Sequence, residues 1–439
     1  MNKELNAVIK KNLQPLRGEK SDYDSIVEMA KNSRFVLIGE SSHGTKEFYK
    51  IRADITKRLI DELDFNAVAI EGDWPDAYRV NRYVNATNSN GGATQALEDF
   101  ERFPTWMWQN REVLSFIKWL RCYNTVNSKA AVGFYGLDLY SMNSSVAAVI
   151  SYLDEVDPEA ATRARLHYNC LDNFPATSSS VLQALDKSCK EEILQQLEEL
   201  YQNSFEYLKK DGFVAQEELF CATQNAELVK SAQSYYHSLY LSEESSWNLR
   251  DTHMARTVEK LESHLKETRK KPAKIVIWAH NSHIGDARAT DMSRRGELNL
   301  GQIMREKYKD ETLLIGFSTY QGKVSAASNW DMPVEHKTVI PALKGSVEEA
   351  LHETGVKDFI LKFRGNEQLT KALDTPLLER FIGVIYQPRT ERQSHYYHAH
   401  ISRQFDALIY LDETTAVQPL KTETHWVKND LDETFPFGI

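Results

Sequence analysis

The sequence has few cysteines and no long apolar run. Its 439 residues include four cysteines, Cys122, Cys170, Cys189 and Cys221, which lie far apart and form no C-x-x-C pair. This spacing argues against structural zinc and a disulfide framework, and it is typical of a reducing cytoplasm. The first residues, MNKELNAVIKKNLQPLRGEK, contain no apolar segment of the kind found in secretion signals. No apolar run approaches the roughly 18 residues that span a bilayer, so we expect no membrane partner.

The chain also lacks an excess of positive charge. Its 53 Lys and Arg are outnumbered by 63 Asp and Glu, which gives a formal net charge of −10. A protein that binds nucleic acid presents a basic face to the phosphates, so we expect no nucleic-acid partner. Hydrophobic residues make up 41% of the chain, a share that is ordinary for a protein with a buried core. The composition therefore indicates a globular protein, which we expect in the cytoplasm.

The order of apolar segments predicts an α/β fold with a mixed, mainly parallel sheet flanked by helices. RFVLIG (34–39) is a continuous apolar run, as in a strand buried on both faces. Over 45–63 apolar residues recur every three or four positions, which predicts an amphipathic helix. Further helices are predicted from Pro75 and over 107–124. Further strands are predicted at 66–70, 130–139, 274–279, 312–320, 358–363, 381–386 and 405–411.

The middle of the chain has a different composition. From about 143 to 270 it is rich in Glu, Gln, Lys, Leu and Ala, which predicts long amphipathic helices. We interpret this stretch as an α-helical insertion; the alternative is a set of crossover helices of the same domain. The predicted division places the N-terminal part of the α/β domain at 1–140 and the insertion at 141–270. The rest of the α/β core follows at 271–325, and a smaller C-terminal α/β part at 326–439.

Acidic and imidazole side chains follow several of the predicted strands. They are Glu40 and His43 after the first strand, Glu71 and Asp73 after the second, Asp138 after the third, and His280 and His283 after the strand at 274–279. Ligands bind outside the carboxyl ends of the strands in open α/β sheets. Such groups are costly to bury unless they are paired. If these strands are parallel neighbours, the sequence therefore predicts a polar site at one edge of the sheet.

A histidine beside carboxylates suits a general base. His43, held by Glu40 or Glu71, is a candidate for taking a proton from water. Arg52 lies nine residues after His43, two to three turns into the following helix, and could reach back to a carboxylate or an oxyanion. The simpler interpretation of Arg52 is an arginine that lies on the surface or only pairs with a carboxylate.

A serine nucleophile and a metal site are the alternatives. The G-x-S-x-G elbow is not met, because His43 stands where its second glycine should be, so Ser41, Ser42 and Thr45 are expected to form turns or cap a helix. The site residues are good metal-ligand types, although the H-x-x-H spacing of His280 and His283 is a weak signal. In HYYHAH, three histidines (His395, His398, His400) are better explained by a solvated loop or strand face.

Several segments resemble the erythromycin esterase family. They are GESSHGTKEFYKIRADITKRLI, VAIEGDWPDAYRVNRYV, FPTWMWQNREVLSFIKWLRCYN, GFYGLDLYSM, WAHNSHIGDAR and IYQPRTERQSHYYHAHISRQFDALIYLDET. They run from about residue 34 to 415 in the family's order, and together they are highly specific. Members are also labelled succinoglycan biosynthesis proteins, a name that by itself shows no chemistry.

The resemblance implies a hydrolase that opens a macrolide lactone ester with a histidine-activated water, as in antibiotic resistance, without a metal or other cofactor. Its implied catalytic residues are His43, Glu40, Glu71, Arg52 and His280. The candidates for substrate binding are His283, Asp73, Trp74, Trp106 and Asp138. For Trp74, Trp106 and Trp108, an apolar wall near the site and ordinary core packing both stay open. Two functions remain alternatives: a protein of small-molecule binding or polysaccharide biosynthesis without hydrolysis, and a metal-dependent hydrolase.

Overall fold

The computed structural model describes residues 3–86, 91–173, 187–211, 213–241 and 246–421. The β-strands in these ranges are β1 Gln14–Pro15, β2 Phe35–Ile38, β3 Ala67–Asp73, β4 Gly133–Asp138, β5 Ile275–Trp278, β6 Thr312–Ala326, β7 Glu335–Val339, β8 Asp358–Lys362, β9 Leu377–Arg380, β10 Tyr396–Ala399 and β11 Ala407–Thr414. The α-helices are α1 Lys3–Asn12, α2 Asp24–Ala30, α3 Lys46–Leu63, α4 Trp74–Val84, α5 Ala93–Ala96, α6 Arg111–Val126, α7 Met142–Val156, α8 Pro158–Tyr168, α9 Lys187–Asp211, α10 Phe213–Leu241, α11 Ser246–Arg269, α12 Asn281–Ile284, α13 Leu300–Tyr308, α14 Val347–His352, α15 Glu367–Ala372, α16 Glu391–Ser394 and α17 Ile401–Gln404.

A mixed sheet lies at the centre of the molecule. Its strand order is β1-β8-β11-β6-β2-β5-β3-β4, and β7 pairs with the far end of β6. All neighbours from β11 to β4 are parallel, whereas β1, β7 and β8 are antiparallel to their partners. The buried apolar run of β2 sits in the middle of this order, as expected for a strand covered on both faces. The predicted α/β fold with a mixed, mainly parallel sheet is therefore confirmed.

Helices cover both faces of the sheet. On one face the alternate residues Val36 and Ile38 of β2 pack with α2, α3 and α6. On the other face Phe35 and Leu37 pack with α1, α13 and the helices α7 to α11. Strand residues alternate between faces, so a single short strand contributes to both clusters. The site at the carboxyl edge of the sheet is thus held between two layers of helices.

The stretch predicted as a helical insertion is helical over nearly all of its described residues. Helices α7 to α11 connect β4 to β5, with residues 174–186, 212 and 242–245 lying outside the described ranges. Their apolar side chains form one hydrophobic cluster with the sheet, for example Val149 of α7, Val229 of α10 and Leu261 of α11. The division of the chain into separate parts stays a prediction. In the described ranges, no helix is both long enough and apolar enough to cross a membrane.

Two expectations from the sequence are wrong. The apolar run 381–386 is not a strand; β9 ends at Arg380, and the following residues form isolated bridges, Ser42 with Ile382 and Ala327 with Ile385. The side chains of Ile382 and Tyr386 are buried against β6 and β7, and this burial produces the same apolar pattern as a strand. Strands β1, β7, β9 and β10 are not among the predicted strands, apart from a strand face as one interpretation of HYYHAH.

The second error concerns the cysteines. Cys170 and Cys189 form a disulfide, with the two sulfur atoms 2.08 Å apart. They come together because α8 and α9 pack side by side, a contact that the spacing of cysteines along the chain does not reveal. The prediction of no disulfide is therefore contradicted for this pair. A cytoplasmic location stays a prediction, but the cysteines no longer support it.

Candidate active site

The structure brings the predicted polar strand ends together. Strands β2, β5, β3 and β4 are consecutive parallel neighbours, so their carboxyl ends lie side by side at one edge of the sheet. Glu71 and Asp73 lie in the last three residues of β3, and Asp138 is the last residue of β4. His280 follows β5 and directly precedes α12. All of these side chains are buried. The predicted convergence at one sheet edge is confirmed.

His43 and Glu40 form a hydrogen-bonded pair in the loop between β2 and α3. His43 Nδ1 lies 3.0 Å from Glu40 Oε1, and the other oxygen of Glu40 lies 3.1 Å from a guanidinium nitrogen of Arg52. The Arg52 side chain is completely buried, with its guanidinium 4.4 Å from the ring centre of Tyr49 and 5.2 Å from that of Trp278. Arg52 therefore reaches a carboxylate, as one prediction had it, and the surface interpretation is wrong.

Backbone contacts fix the position of this loop. Gly44 lies so close to β6 that a Cβ atom there would sit 1.8 Å from the Ser325 carbonyl oxygen, so only glycine fits. Tyr49 OH donates to the His43 carbonyl oxygen at 2.7 Å, and His43 N donates to Ile382 O at 3.2 Å. The loop is thus held from three sides, which sets the direction of the imidazole.

The hydroxyl side chains of the loop play a local structural part. Thr45 occupies the residue before α3, as the capping prediction required, but its hydroxyl does not cap the helix. It forms a hydrogen bond with the Ser42 hydroxyl instead. Ser41 O accepts a hydrogen bond from Ile382 N at 2.8 Å. These contacts stabilise the turn that carries His43.

Glu71 is the centre of a second group of charges. Its Oε2 accepts a hydrogen bond from the backbone N–H of His280 at 2.7 Å, and its Oε1 accepts one from Arg250 at 2.8 Å. His283 Nε2 is 3.2 Å from the same Oε1. Burial by itself raises the pKa of Glu71, but the positive charges of His283 and Arg250 outweigh it and hold the pKa well below its usual range. Glu71 is therefore ionised in this site.

Arg250, on α11, was missed by the sequence analysis. It donates to both oxygens of Asp138, at 2.9 and 2.6 Å, as well as to Glu71. Burial raises the pKa of Asp138, but Arg250 more than offsets this and lowers it below its usual value. The helical middle of the chain therefore supplies a cation to the site. The only sequence signal was an arginine in an amphipathic helix, which is ordinarily solvent-exposed.

The neighbouring Asp251 was also missed. Both of its oxygens lie close to His283 Nδ1, at 3.0 and 2.9 Å, and Oδ1 also accepts a hydrogen bond from Leu300 N at 2.8 Å. His283 is thus held between the carboxylates of Asp251 and Glu71, and its ring stacks on Trp247 at 4.4 Å. Burial lowers the pKa of His283, and so does Arg250, whose guanidinium nitrogen is 3.1 Å from His283 Nε2, but the two carboxylates outweigh both and raise the pKa to about 9. His283 therefore carries a positive charge near neutral pH.

His280 has the opposite protonation state. Burial, followed by the nearby His43, holds its pKa well below the usual value, so the imidazole is neutral. Its Nδ1 is 2.8 Å from the Ser282 hydroxyl and 3.3 Å from Ser282 N–H, which donates to it. The ring proton is then on Nε2, a buried atom that makes no hydrogen bond of standard geometry among the described residues, although a contact of the ring with the Ser41 backbone acts on its pKa in the direction opposite to burial. The two rings of His280 and His43 are 4.7 Å apart. A neutral N–H donor is therefore available beside the His43 imidazole.

A cleft of about 460 Å³, including its opening to solvent, gives access to these groups. One side is apolar and comes from the segment between α5 and α6, which contributes Phe100, Phe103, Pro104, Met107 and Trp108; the other side includes His43, Glu71, Asp73, Asp138, Arg102 and Arg250. Trp108 also donates from its indole to Glu71 O at 3.1 Å. The cleft thus combines one apolar side with one charged side.

The remaining candidates for substrate binding differ in position. Asp73 lines the cleft and pairs with Arg102 at 3.0 Å, while its other oxygen accepts a hydrogen bond from Tyr140 N at 3.0 Å. Trp74 is buried in the core, stacked on Tyr135 at 5.7 Å, and Trp106 is buried against Phe103 at 5.3 Å. Neither indole is among the residues that line the cleft. A binding role for these side chains stays a prediction.

The possible metal ligands of the site contact one another and arginines instead. No group of three or more His, Cys, Asp or Glu side chains within the described ranges is arranged to hold a metal ion. The histidines of HYYHAH lie elsewhere: His398 is exposed on β10, as expected for a strand face, whereas His395 is buried next to Tyr386.

Comparison with known proteins gives consistent matches over most of the chain. Residues 60–414 match the family model described as erythromycin esterase. The chain is 22% identical to erythromycin esterase type II of Escherichia coli, over 90% of this chain and 93% of the relative. It is also 22% identical to the putative hydrolase YbfO of Bacillus subtilis, over 93% and 90% of the two chains.

Solved structures show the same fold. A crystal structure of a succinoglycan biosynthesis protein matches with a TM-score of 0.76 at 22% identity, covering 95% of this chain and 98% of the other. An erythromycin esterase mutant in its open conformation matches with a TM-score of 0.66 at 17% identity, covering 93% and 97%. The likeness therefore extends over the whole fold and is not confined to one segment.

Proposed function

Because the chain belongs to the erythromycin esterase family, we propose that it hydrolyses a carboxylic ester of the macrolide lactone type, with His43 activating the attacking water. One observation carries the proposal: the His43 imidazole lines the cleft and is hydrogen-bonded through Nδ1 to Glu40, which Arg52 holds from its other side. This arrangement fixes the tautomer with the proton on Nδ1, so Nε2 has a free electron pair for the water proton.

The first step is the attack of water on the ester carbonyl. His43 Nε2 takes one proton as the water oxygen bonds to the carbonyl carbon, and the imidazolium that forms is stabilised by the adjacent Glu40 carboxylate. The carbonyl oxygen becomes an oxyanion. The Nε2–H of His280, next to His43, is the donor proposed to bind it.

In the second step the tetrahedral intermediate collapses. The bond to the alkoxide breaks, and His43 returns the proton to the departing oxygen, which gives a carboxylic acid and an alcohol. When the ester is a lactone, both products remain in one molecule and its mass rises by one water. Glu71, Asp138, Arg250 and His283 keep the position of His280 through the hydrogen bond from its backbone N–H to Glu71. These four side chains act as positioning residues.

The substrate class has two supports. The apolar wall from Phe100 to Met107 suits a largely hydrocarbon acyl group, whose burial is favourable by about 25 cal/mol per Å². The relatives named erythromycin esterase align with nine-tenths of the length of this chain. The proposed substrate is therefore an apolar ester such as a macrolide lactone.

The experiment compares hydrolysis by the wild type and by His43→Gln. The protein is incubated with macrolides of different ring size and with simple esters, and products are identified by mass spectrometry. Loss of the general base is expected to lower kcat by about 10²- to 10⁴-fold. The matched control is His264→Gln, because His264 is also a buried histidine paired with a carboxylate, Glu217, at 2.7 Å. It lies roughly 20 Å along α11 from Arg250, so the control is expected to keep the wild-type rate.

Two results would contradict the proposal. A folded His43→Gln protein that hydrolyses esters at the wild-type rate would exclude His43 as the base. A wild-type protein that binds macrolides or esters but yields no product with one added water would favour binding without hydrolysis.

A further inference from the structure

A second pocket, of about 410 Å³ including its opening to solvent, lies next to the proposed active site. It is bounded by the start of α11, by α12 and the segment after it, and by Phe381, Tyr397 and Gln404 from the C-terminal part. None of the residues described as lining it also lines the cleft at His43. The proposed esterase mechanism gives this cavity no role.

The walls of the cavity are mainly aromatic and apolar. Trp247, Met292, Phe381 and Tyr397 are among the lining residues. Aromatic walls of this kind favour flat, ring-containing molecules, because rings stack and bury large apolar areas. Water in such a space gains few hydrogen bonds, so an apolar occupant displaces it favourably.

Most of the polar side chains at the cavity already have partners. Ser282 Oγ pairs with His280 Nδ1, and the Thr290 hydroxyl donates to Ala287 O at 2.9 Å. The Asn299 amide donates to the carbonyl oxygens of Ser282 and Gly285, both at 2.6 Å. The two charged residues also pair with each other, with a guanidinium nitrogen of Arg295 2.8 Å from Glu297. A charged ligand would find no free counter-charge in these groups, so an uncharged ligand is favoured.

Gln404 is the exception. Its side chain is 1% exposed, lines the cavity and is hydrogen-bonded to the buried carboxyl group of Glu379, while its Oε1 is buried without a hydrogen-bond partner among the described residues. The neighbouring Gly285 leaves the space for it, because a Cβ atom at position 285 would lie 2.7 Å from Gln404 Cγ. A buried acceptor without a donor costs about 1–3 kcal/mol, and a ligand that donates to it removes this cost.

We propose that this cavity is a second binding site, which takes an uncharged, ring-containing apolar molecule whose single O–H or N–H group donates to Gln404 Oε1. The occupant contacts side chains that hold the active-site histidines. Trp247 stacks on His283 at 4.4 Å, and Ser282 is hydrogen-bonded to His280. The ligand is either the distal end of the ester substrate or a separate molecule of the same chemistry.

The test measures binding of 2-naphthol to the full chain by isothermal titration calorimetry. The matched probe is 2-methoxynaphthalene, which has the same rings but no hydrogen to donate. One hydrogen bond to a neutral acceptor is expected to make 2-naphthol bind roughly fivefold more tightly. In Gln404→Met, which keeps the volume and removes the acceptor, the two probes are expected to bind equally. Met292→Trp fills the cavity and is expected to abolish binding of both.

Controls separate this site from the cleft and from the proposed esterase function. His43→Gln is expected to bind 2-naphthol like the wild type, because His43 does not line the second cavity. The measurement contains no hydrolysis step, so it can succeed when no esterase activity is found. The last control adds to His43→Gln an intact ester that the wild type hydrolyses. If this ester displaces 2-naphthol, the occupant of the cavity is the distal end of the substrate; if 2-naphthol binding is unchanged, the occupant is a separate molecule.

The proposal is overturned if the wild type does not bind 2-naphthol, or if folded Met292→Trp binds it unchanged. If Met292→Trp does not fold, Gln404→Met decides: a preference for 2-naphthol that persists in this variant shows that the hydroxyl does not reach Gln404. Folding of each variant is checked by circular dichroism and thermal unfolding.

Discussion

Replacing Arg250 by methionine tests whether this arginine is what allows two carboxylates to be buried together. Arg250 makes three hydrogen bonds of 2.6 to 2.9 Å to Asp138 and Glu71. All three side chains are buried. Methionine keeps a similar length and apolar stem but removes the charge. The change therefore leaves two carboxylates close together without this cation.

The expected loss of stability follows from the burial of these charges. Removing one partner of a buried ion pair costs about 3–5 kcal/mol, because the remaining charge stays desolvated. With Arg250 in place the folded-state pKa values of Glu71 and Asp138 lie below their ordinary values. The two ionised carboxylates therefore stabilise the folded protein at a pH above their pKa values in the unfolded chain, which are near 4. This stabilisation is lost as the pH falls through their pKa values in the folded state. Without Arg250 both pKa values rise relative to the wild type: burial and the charge of Glu71 raise that of Asp138, and burial of Glu71 is then offset by His283 without the arginine. The deficit of the variant is therefore largest at neutral pH and shrinks toward about pH 4.

The free energy of unfolding is measured by urea titration at pH 7 and near pH 4.5. The control is Arg288→Met, because Arg288 also pairs with two carboxylates, Asp286 and Glu306, but is about half exposed. Exposed pairs contribute at most about 1 kcal/mol. Adding Asp138→Asn to Arg250→Met is expected to recover part of the loss, since one buried charge disappears. A deficit for Arg250→Met no larger than that of the control, or one that does not change with pH, would refute the reasoning.

Three further outcomes are expected. In Asp251→Asn the pKa of His283, followed by NMR titration, falls from about 9 because one carboxylate partner is lost. The raised pKa of the folded state stabilises the wild type fully below the unfolded value near 6.5 and no longer above about 9, so the stability deficit of the variant is greatest at acid pH; an unchanged titration would exclude the pair. His280→Phe lowers kcat for ester hydrolysis about 10²- to 10³-fold without a matching rise in KM, the signature of a donor used in the transition state, whereas a pure KM effect would exclude that role. Hydrolysis continues in EDTA, because the carboxylates of the site already bind arginine or histidine; loss of activity that one metal restores would instead support the metal-dependent alternative.

The fold and part of the candidate site could be predicted from the sequence, because both depend on patterns within short segments. A strand buried on both faces is continuously apolar, as Phe35–Ile38 is, and an amphipathic helix repeats every three to four residues, as α3 does. Where such a strand ends in Glu40 and His43, or in Glu71 and Asp73, the position of the polar group at the sheet edge follows from chain direction alone. Parallel pairing then brought these groups together, as predicted.

The rest of the site could not be found in this way. Arg250 and Asp251 lie on a helix whose pattern resembles any amphipathic surface helix, and their partners Asp138 and His283 are distant in the chain. The same limit explains the three tryptophans: the pattern marks each as apolar, yet Trp108 reaches the cleft while Trp74 and Trp106 pack in the core. Apolarity shows that a side chain is buried and does not show against what.

By itself the sequence thus determined the α/β fold, the family, and the glutamate and histidine at the end of β2, because these depend on periodicity and on residues near one another in the chain. Only the tertiary structure decided that Arg52 is buried against Glu40, that α11 brings Arg250 and Asp251 to the site, and that Cys170 meets Cys189. Each of these contacts depends on how helices pack across the sheet. Packing of that kind is set by the shape of the whole core and leaves no repeating pattern in any one segment.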